Sequence, residues 1–137
     1  MRHLVKGRKL NRTASHRIAL KRNLAMSLIE HKSIKTTLPK AKEVQGFIER
    51  LVTYAKKGNL SSHRLITQKL PGKLGKKMTH VLIHDIAPSY SDRAGGYTRI
   101  IKLQNRNNDN AEMSIIEFVA LEAKSEIGDE KKPSEDK

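Results

Sequence analysis

Leu38-Pro39-Lys40-Ala41-Lys42-Glu43-Val44-Gln45-Gly46-Phe47-Ile48-Glu49-Arg50-Leu51-Val52-Thr53-Tyr54-Ala55-Lys56-Lys57-Gly58 decides how this chain folds. Ala41, Val44, Ile48, Leu51, Val52 and Ala55 recur at three-and-four spacing, so in a helix they form one apolar stripe with polar residues around the rest of the circumference. Pro39 suits a first helical turn, Thr37 stands where a cap belongs, and Gly58 is a natural stop. This is the clearest amphipathic helix in the sequence, and it reads as core scaffold. Lys40, Lys42, Lys56 and Lys57 lie at its two ends, where contact with phosphate stays open.

Working back from it, Ser33-Ile34-Lys35-Thr36-Thr37 is too short for a helix and rich in β-branched side chains, which predicts a strand. A further helix is expected from Thr13 or Ser15, either one a plausible cap, to about Lys32. Ile18, Ala25 and Ile29 fall along one stripe, with Leu20, Leu24 and Leu28 beside it. Its first turns carry Arg17, Lys21 and Arg22, and its last carry most of the aliphatics, so one end suits phosphate and the other a core.

Working forward, a third helix is expected from Ser61 or Ser62 to Leu70, with Leu65 and Ile66 facing inward, before Pro71-Gly72 breaks it. A fourth runs from about Leu74 to Ile86 on Met78, Val81, Leu82 and Ile86, with Pro88 preventing much continuation. Tyr97 to Leu103 and Glu112 to about Leu121 read as strands. The Asn107-Asn108-Asp109-Asn110 turn lies between them, which makes an antiparallel hairpin with a wide loop. Helices on one face of a small three-stranded sheet give a two-layer α+β domain in the order helix, strand, three helices, two strands.

The charge is distributed unevenly. The chain of 137 residues has a net charge of +14, but residues 1–108 hold 24 lysines and arginines against five acids. The extreme is the beginning, where Arg2, Lys6, Arg8, Lys9, Arg12, Arg17, Lys21 and Arg22, with His3 and His16 among them, precede any carboxylate. Residues 1–12 have too few apolar side chains to offset the entropy of ordering and read as a basic arm that orders on a partner, with residues 13–121 the single domain. Residues 122–137, dominated by Glu, Asp, Lys, Ser, Gly and Pro, read as a disordered tail. A solvated tail, a nuclear-import patch or an organelle presequence is the plain alternative for the arm, but here the basic run passes directly into a helix whose far end looks like core.

A field this positive fits nucleic acid or an anionic membrane. A membrane-surface helix needs large aromatic anchors, and with no Trp and no apolar span, nucleic acid is the better partner. The absence of Cys removes disulfides, zinc ribbons and thiol nucleophiles. His80 and His84 have the spacing of a metal pair, yet there is no intervening Glu and no evident remote ligand. Gly72 to Lys77 resembles a phosphate loop only superficially, because the glycine spacing is wrong and no Ser or Thr follows the lysine. More informative is Ser91-Asp92-Arg93-Ala94-Gly95-Gly96-Tyr97-Thr98-Arg99. Gly95 and Gly96 allow close approach of backbone to a phosphate, Arg93 and Arg99 flank them, and the Tyr97 ring is available for stacking on a base; a plain glycine turn is the alternative.

Arg2-His3-Leu4, Gly7-Arg8, Leu10-Asn11-Arg12, Ser15-His16-Arg17, Ile34 to Glu43 and Arg93 to Arg99 closely resemble the family of the seventeenth protein of the bacterial large ribosomal subunit. The resemblance spans roughly residues 1–120, is weakest from Asn59 to Lys77, and leaves a tail after Leu121 that shorter members lack. It implies a ribosome-bound, cytoplasmic structural protein with no catalysis and no cofactor. Its implied partners are large-subunit rRNA near the nascent-peptide exit and neighbouring ribosomal proteins, with no membrane and no small-molecule substrate. The residues expected to meet RNA are Arg2, His3, Lys6, Arg8, Lys9, Asn11, Arg12, Ser15, His16, Arg17, Lys21 and Arg22, then Lys35, Lys40 and Lys42, then Arg93, Gly95, Gly96, Tyr97 and Arg99. A DNA-compacting protein or an RNA-acting enzyme would share the charge. The enzyme needs paired acids or a nucleophile with its base, and the five carboxylates before residue 109 are scattered.

Overall fold

The structure, a computed structural model, describes residues 7–119. Arg2, His3, Lys6 and the tail expected to be disordered lie outside the described residues. The elements are α1 (Ala14–His31), β1 (Ser33–Thr37), α2 (Leu38–Lys57), α3 (Leu60–Lys69), α4 (Gly72–Val81), β2 (Thr98–Lys102) and β3 (Met113–Phe118). A π-helical turn (Leu82–Ile86) and a 3-10 turn (Ala87–Tyr90) follow α4. The expected α+β order is present.

Helix α2 is the hub. It packs against α1, α3, all three strands and the turns that follow α4. Its stripe of Ala41, Val44, Ile48, Leu51, Val52 and Ala55 is buried, as the periodicity requires. Burying each of the larger aliphatics is worth roughly 1.5–3 kcal/mol. Gly58 ends the helix in the left-handed region at φ 64°, its amide bonded to the Ala55 carbonyl. Thr37 occupies the cap position, but its hydroxyl makes no capping bond. The Leu38 amide instead donates to the Glu112 carbonyl at 2.9 Å, and Pro39 has no amide to satisfy, so the sheet rather than a side chain closes this helix end.

The sheet is antiparallel with order β1-β3-β2. β3 is central, pairing Ile34 with Ile116 on one side and Ile100 with Ile116 on the other. Ser114, Ile116 and Phe118 are buried beneath the helices, whereas Met113, Ile115 and Glu117 point to the uncovered face and are half-buried. Tyr90 locks the far end of β3: its hydroxyl donates to the Val119 carbonyl, and burial pushes it from 10.0 up to about 12, with nearby Arg93 opposing that rise.

Several local expectations are corrected. Helix α3 starts at Leu60 because Asn59 caps it, accepting from the Ser62 amide at 2.8 Å, so the serines lie inside the helix. Leu65 is exposed while its neighbour Ile66 is buried, since adjacent helical residues point about 100° apart. Ile18 is exposed too, because the buried part of α1 is its second half, at Ala25, Leu28 and Ile29. The helix after Pro71 begins at Gly72; as expected of Pro88, the helical path goes little further and stops at Tyr90, with Pro88 near the start of the 3-10 turn, where its missing amide costs nothing.

Candidate nucleic-acid interface

The amino-terminal segment is tied to the body by one carboxylate. Glu43, on α2, accepts from the Lys21 ammonium at 3.3 Å and from the Arg8 amide at 3.4 Å. Leu10 and Asn11 both take left-handed backbone conformations, at φ 52° and 50°, and the Arg12 amide closes a turn onto the Lys9 carbonyl. Arg12 donates to the Leu10 carbonyl at 3.0 Å, and Arg17 donates to the Arg12 carbonyl at 2.9 Å. Residues 7–12 are therefore folded back on the domain rather than projecting as a free arm. The buried Arg12 Nε has no partner among the described residues.

The packing of α1 on α2 brings together cations that are distant in sequence. Lys21, Lys42, Glu43, Gly46, Phe47 and Arg50 line a shallow depression of about 270 Å³ between α1 and α2. Lys42 and Arg50 are exposed, and Lys21 is half-buried with its charge on Glu43. Arg50 is a cation at this depression that the sequence reading did not single out. Lys42, Gly46 and Arg50 recur at four-residue spacing on one face of α2, and that was the available signal. Ser15 and His16 are exposed on the first turn of α1, with no acid beside them to oppose a phosphate. Lys40 and Arg22 are half-buried.

Lys35 lies elsewhere, on the uncovered sheet face. It lines a cleft of about 320 Å³ with Gln104, Asn105, Arg106, Asn107 and Met113 at the β2–β3 loop. There Arg106 donates twice to Asp109, at 2.9 and 2.6 Å, and this contact leads in holding the Asp109 carboxyl down from 3.8 to about 2.

The glycine segment is internally organised. Arg93 Nε donates to the carbonyls of Gly95 and Gly96, each at 3.1 Å. Lys56 from α2 donates to the Arg93 carbonyl at 2.5 Å and reaches the Tyr97 hydroxyl at 3.4 Å, with its ammonium 5.3 Å from the Tyr97 ring centre. Gly96 has φ +62° and open space where a Cβ would stand, so its backbone conformation favours glycine. Gly95 is also open but has no such backbone angle. Tyr97 must be corrected: it is 2% exposed and packs edge-on against Tyr90 at 5.3 Å between ring centres, so its ring is core and not a platform for a base. Arg99 is exposed, with Nε committed to Glu117 at 2.5 Å. The His80 and His84 rings lie 4.2 Å apart, tilted by 39°, and among the described residues no group of three or more His, Cys, Asp or Glu side chains is placed to hold a metal. No helix among the described residues is long and apolar enough to cross a membrane.

Residues 20–119 match the family model described as ribosomal protein L17, a span that includes the stretch from Asn59 to Lys77. The chain is 51% identical over 120 residues to the large ribosomal subunit protein bL17 of Campylobacter lari, covering 88% of this chain and all of that protein. It is similar to the bL17 proteins of Orientia tsutsugamushi, at 50% over 87% of this chain and 80% of the relative, and of Thermus thermophilus, at 49% over 87% and 99%.

Proposed function

Because the chain belongs to the ribosomal protein L17 family, we propose that it is a structural constituent of the large ribosomal subunit that binds large-subunit rRNA and supports subunit assembly and translation. Its setting is the bacterial cytoplasm, on the ribosome near the peptide exit, with rRNA and neighbouring ribosomal proteins as partners and without catalysis or a small-molecule substrate. The observation that carries the reading is the fold-back of residues 7–12. Arg8 meets Glu43, which lines the α1–α2 depression together with Lys21, Lys42 and Arg50, and a basic surface of this kind would let RNA helices that otherwise repel one another meet. The Arg93–Gly96 segment adds a second contact point, with two exposed glycines open to phosphate.

Two measurements test this. In sucrose gradients the protein should remain with large subunits through a high-salt wash; release into the soluble fraction would overturn the assignment. In binding to deproteinised large-subunit rRNA, each phosphate neutralised contributes roughly 0.7–0.9 to the salt slope. Deleting residues 2–12 removes five lysines and arginines, so the slope should fall by up to about four. An unchanged slope would remove this segment from the interface. A DNA compactor would bind duplex DNA as tightly as the rRNA, and that result would favour the other reading.

A further inference from the structure

Helix α4 has two faces with different chemistry. Gly75, Met78 and Thr79, continued by Leu82 in the π-helical turn, are buried against the core. Lys73, Lys76, Lys77 and His80 lie on the opposite side at spacings of three, one and three residues, continued by His84, and all five are exposed. The row from Lys73 to His80 extends roughly 10 Å at the helical rise per residue. None of the three lysines has a hydrogen bond or ion pair within the described residues. From Arg50 to His84 the chain contains eight lysines and arginines and no carboxylate. A solvated helix ordinarily intersperses acids three or four residues from its lysines, and this one has none. Keeping like charges in one unpaired row opposes folding unless a polyanion lies against them.

We infer that the outer face of α4 is a third rRNA-phosphate contact, separate from the amino-terminal surface and from the glycine segment. It rests on the rRNA-binding reading above. A phosphate backbone fits the row better than an acidic protein does, because the lysines are spread along the helix instead of converging on one point, and RNA carries one charge per nucleotide along such a path. Leu74 is 49% exposed and bordered by Lys73 and Lys77, and it gives the row an apolar spot on which a ribose can rest.

The test compares three variants of the full chain on deproteinised large-subunit rRNA across a potassium chloride series. In Lys73→Gln/Lys76→Gln/Lys77→Gln the three exposed charges go, and the salt slope should fall by about 2–3 with thermal unfolding unchanged. A charge-matched control, Lys131→Gln/Lys132→Gln/Lys137→Gln, removes the same charge from the tail and should leave the slope as it was. Deletion of residues 2–12 reports on the first surface. If the deletion lowers the slope and the α4 variant does not, the α4 contact is overturned while rRNA binding stands. If neither variant changes it, both fail. An equal fall in the α4 variant and the tail control would mean that net charge alone is being read, which also overturns the contact. Unchanged rRNA binding together with lost contact to an acidic neighbouring protein in reconstituted subunits would assign the face to that protein instead.

Discussion

Gly46 and Gly75 each lie in the interior of a helix, α2 and α4, and the same substitution at each should act with opposite sign. In an open helix, Gly→Ala gains about 0.8–1 kcal/mol, because alanine loses less backbone freedom on folding. Gly46, on the exposed side of α2, meets nothing within 4 Å where a Cβ would be placed, so Gly46→Ala should stabilise by about 0.5–1 kcal/mol. At Gly75 the same Cβ would stand 2.0 Å from the Leu70 carbonyl oxygen and 2.5 Å from its carbonyl carbon. Those are backbone atoms of a fully buried residue at the sharp α3–α4 corner, so no side-chain rotation relieves the clash. Helix α4 must move off the end of α3, and overpacking of this kind costs typically 1–3 kcal/mol. Set against the propensity gain, Gly75→Ala should destabilise by about 1–2 kcal/mol, and the two variants should differ by about 2–3 kcal/mol. A domain of this size moves its melting temperature by roughly 4–8 °C per kcal/mol, so thermal unfolding followed by far-UV circular dichroism separates them readily. A Gly75→Ala midpoint at or above wild type would refute the reasoning, by showing that the corner accommodates a methyl group freely.

The other predictions concern the glycine segment and Tyr90. Gly96→Ala forces a side chain into φ +62° and should lower stability by about 1 kcal/mol, whereas Gly95→Ala, with open space and no such angle, should leave urea midpoints within about 0.5 kcal/mol of wild type. If Gly95→Ala nevertheless weakens rRNA binding, the glycine is there for backbone approach; wild-type binding for both variants would make the segment a plain turn. Tyr90, raised from 10.0 to about 12 by burial, holds its proton more tightly folded than unfolded. Its stabilisation is therefore complete below pH 10 and is lost as pH rises toward about 12. Tyr90→Phe should be less stable at neutral pH by about 1 kcal/mol for the lost bond to the Val119 carbonyl, and should lose less stability than wild type between pH 10 and 12. Parallel pH curves for the two proteins would show that Tyr90 ionises freely.

How much could be read from the sequence varied with the range of the interaction that decided each feature. Helix α2 was legible because its stripe, from Ala41 to Ala55, repeats over about four turns, and the same regularity puts Lys42 and Arg50, eight residues apart, on one exposed side of it. The order of the sheet was not legible. β1 pairs with β3 across nearly the whole domain, and no local pattern states that β3 and not β2 is its neighbour. Leu65 was misread for a local reason. Ser62, Ile66 and Leu70 form the buried four-residue repeat of α3, but a serine at its first position hides it from a hydrophobicity count. The fold-back of residues 7–12 depends on Glu43, one carboxylate in a helix that gives no sign of its partner.

Tyr97 shows what such a misreading hides about mechanism. Beside two glycines and between two arginines, an aromatic ring looks like a base-stacking platform. Its burial against Tyr90, with the Lys56 ammonium over its face, instead makes it the anchor that ends the segment. Lys56 also holds the Arg93 carbonyl, so a single side chain of the hub helix fixes both ends of the Arg93–Tyr97 path, while Arg93 Nε closes the turn from within. A segment held in this way has already lost most of its freedom before a partner arrives, which lowers the ordering cost of binding. The consequence for mutagenesis is that, with the proposed rRNA contact at the Gly95–Gly96 backbone, Lys56→Met should weaken that contact without removing a residue proposed to touch RNA there. It should do so with little loss of salt slope, because what is lost is geometry and not a phosphate charge. A slope that falls by a full phosphate equivalent in that variant would mean that Lys56 itself reaches the RNA.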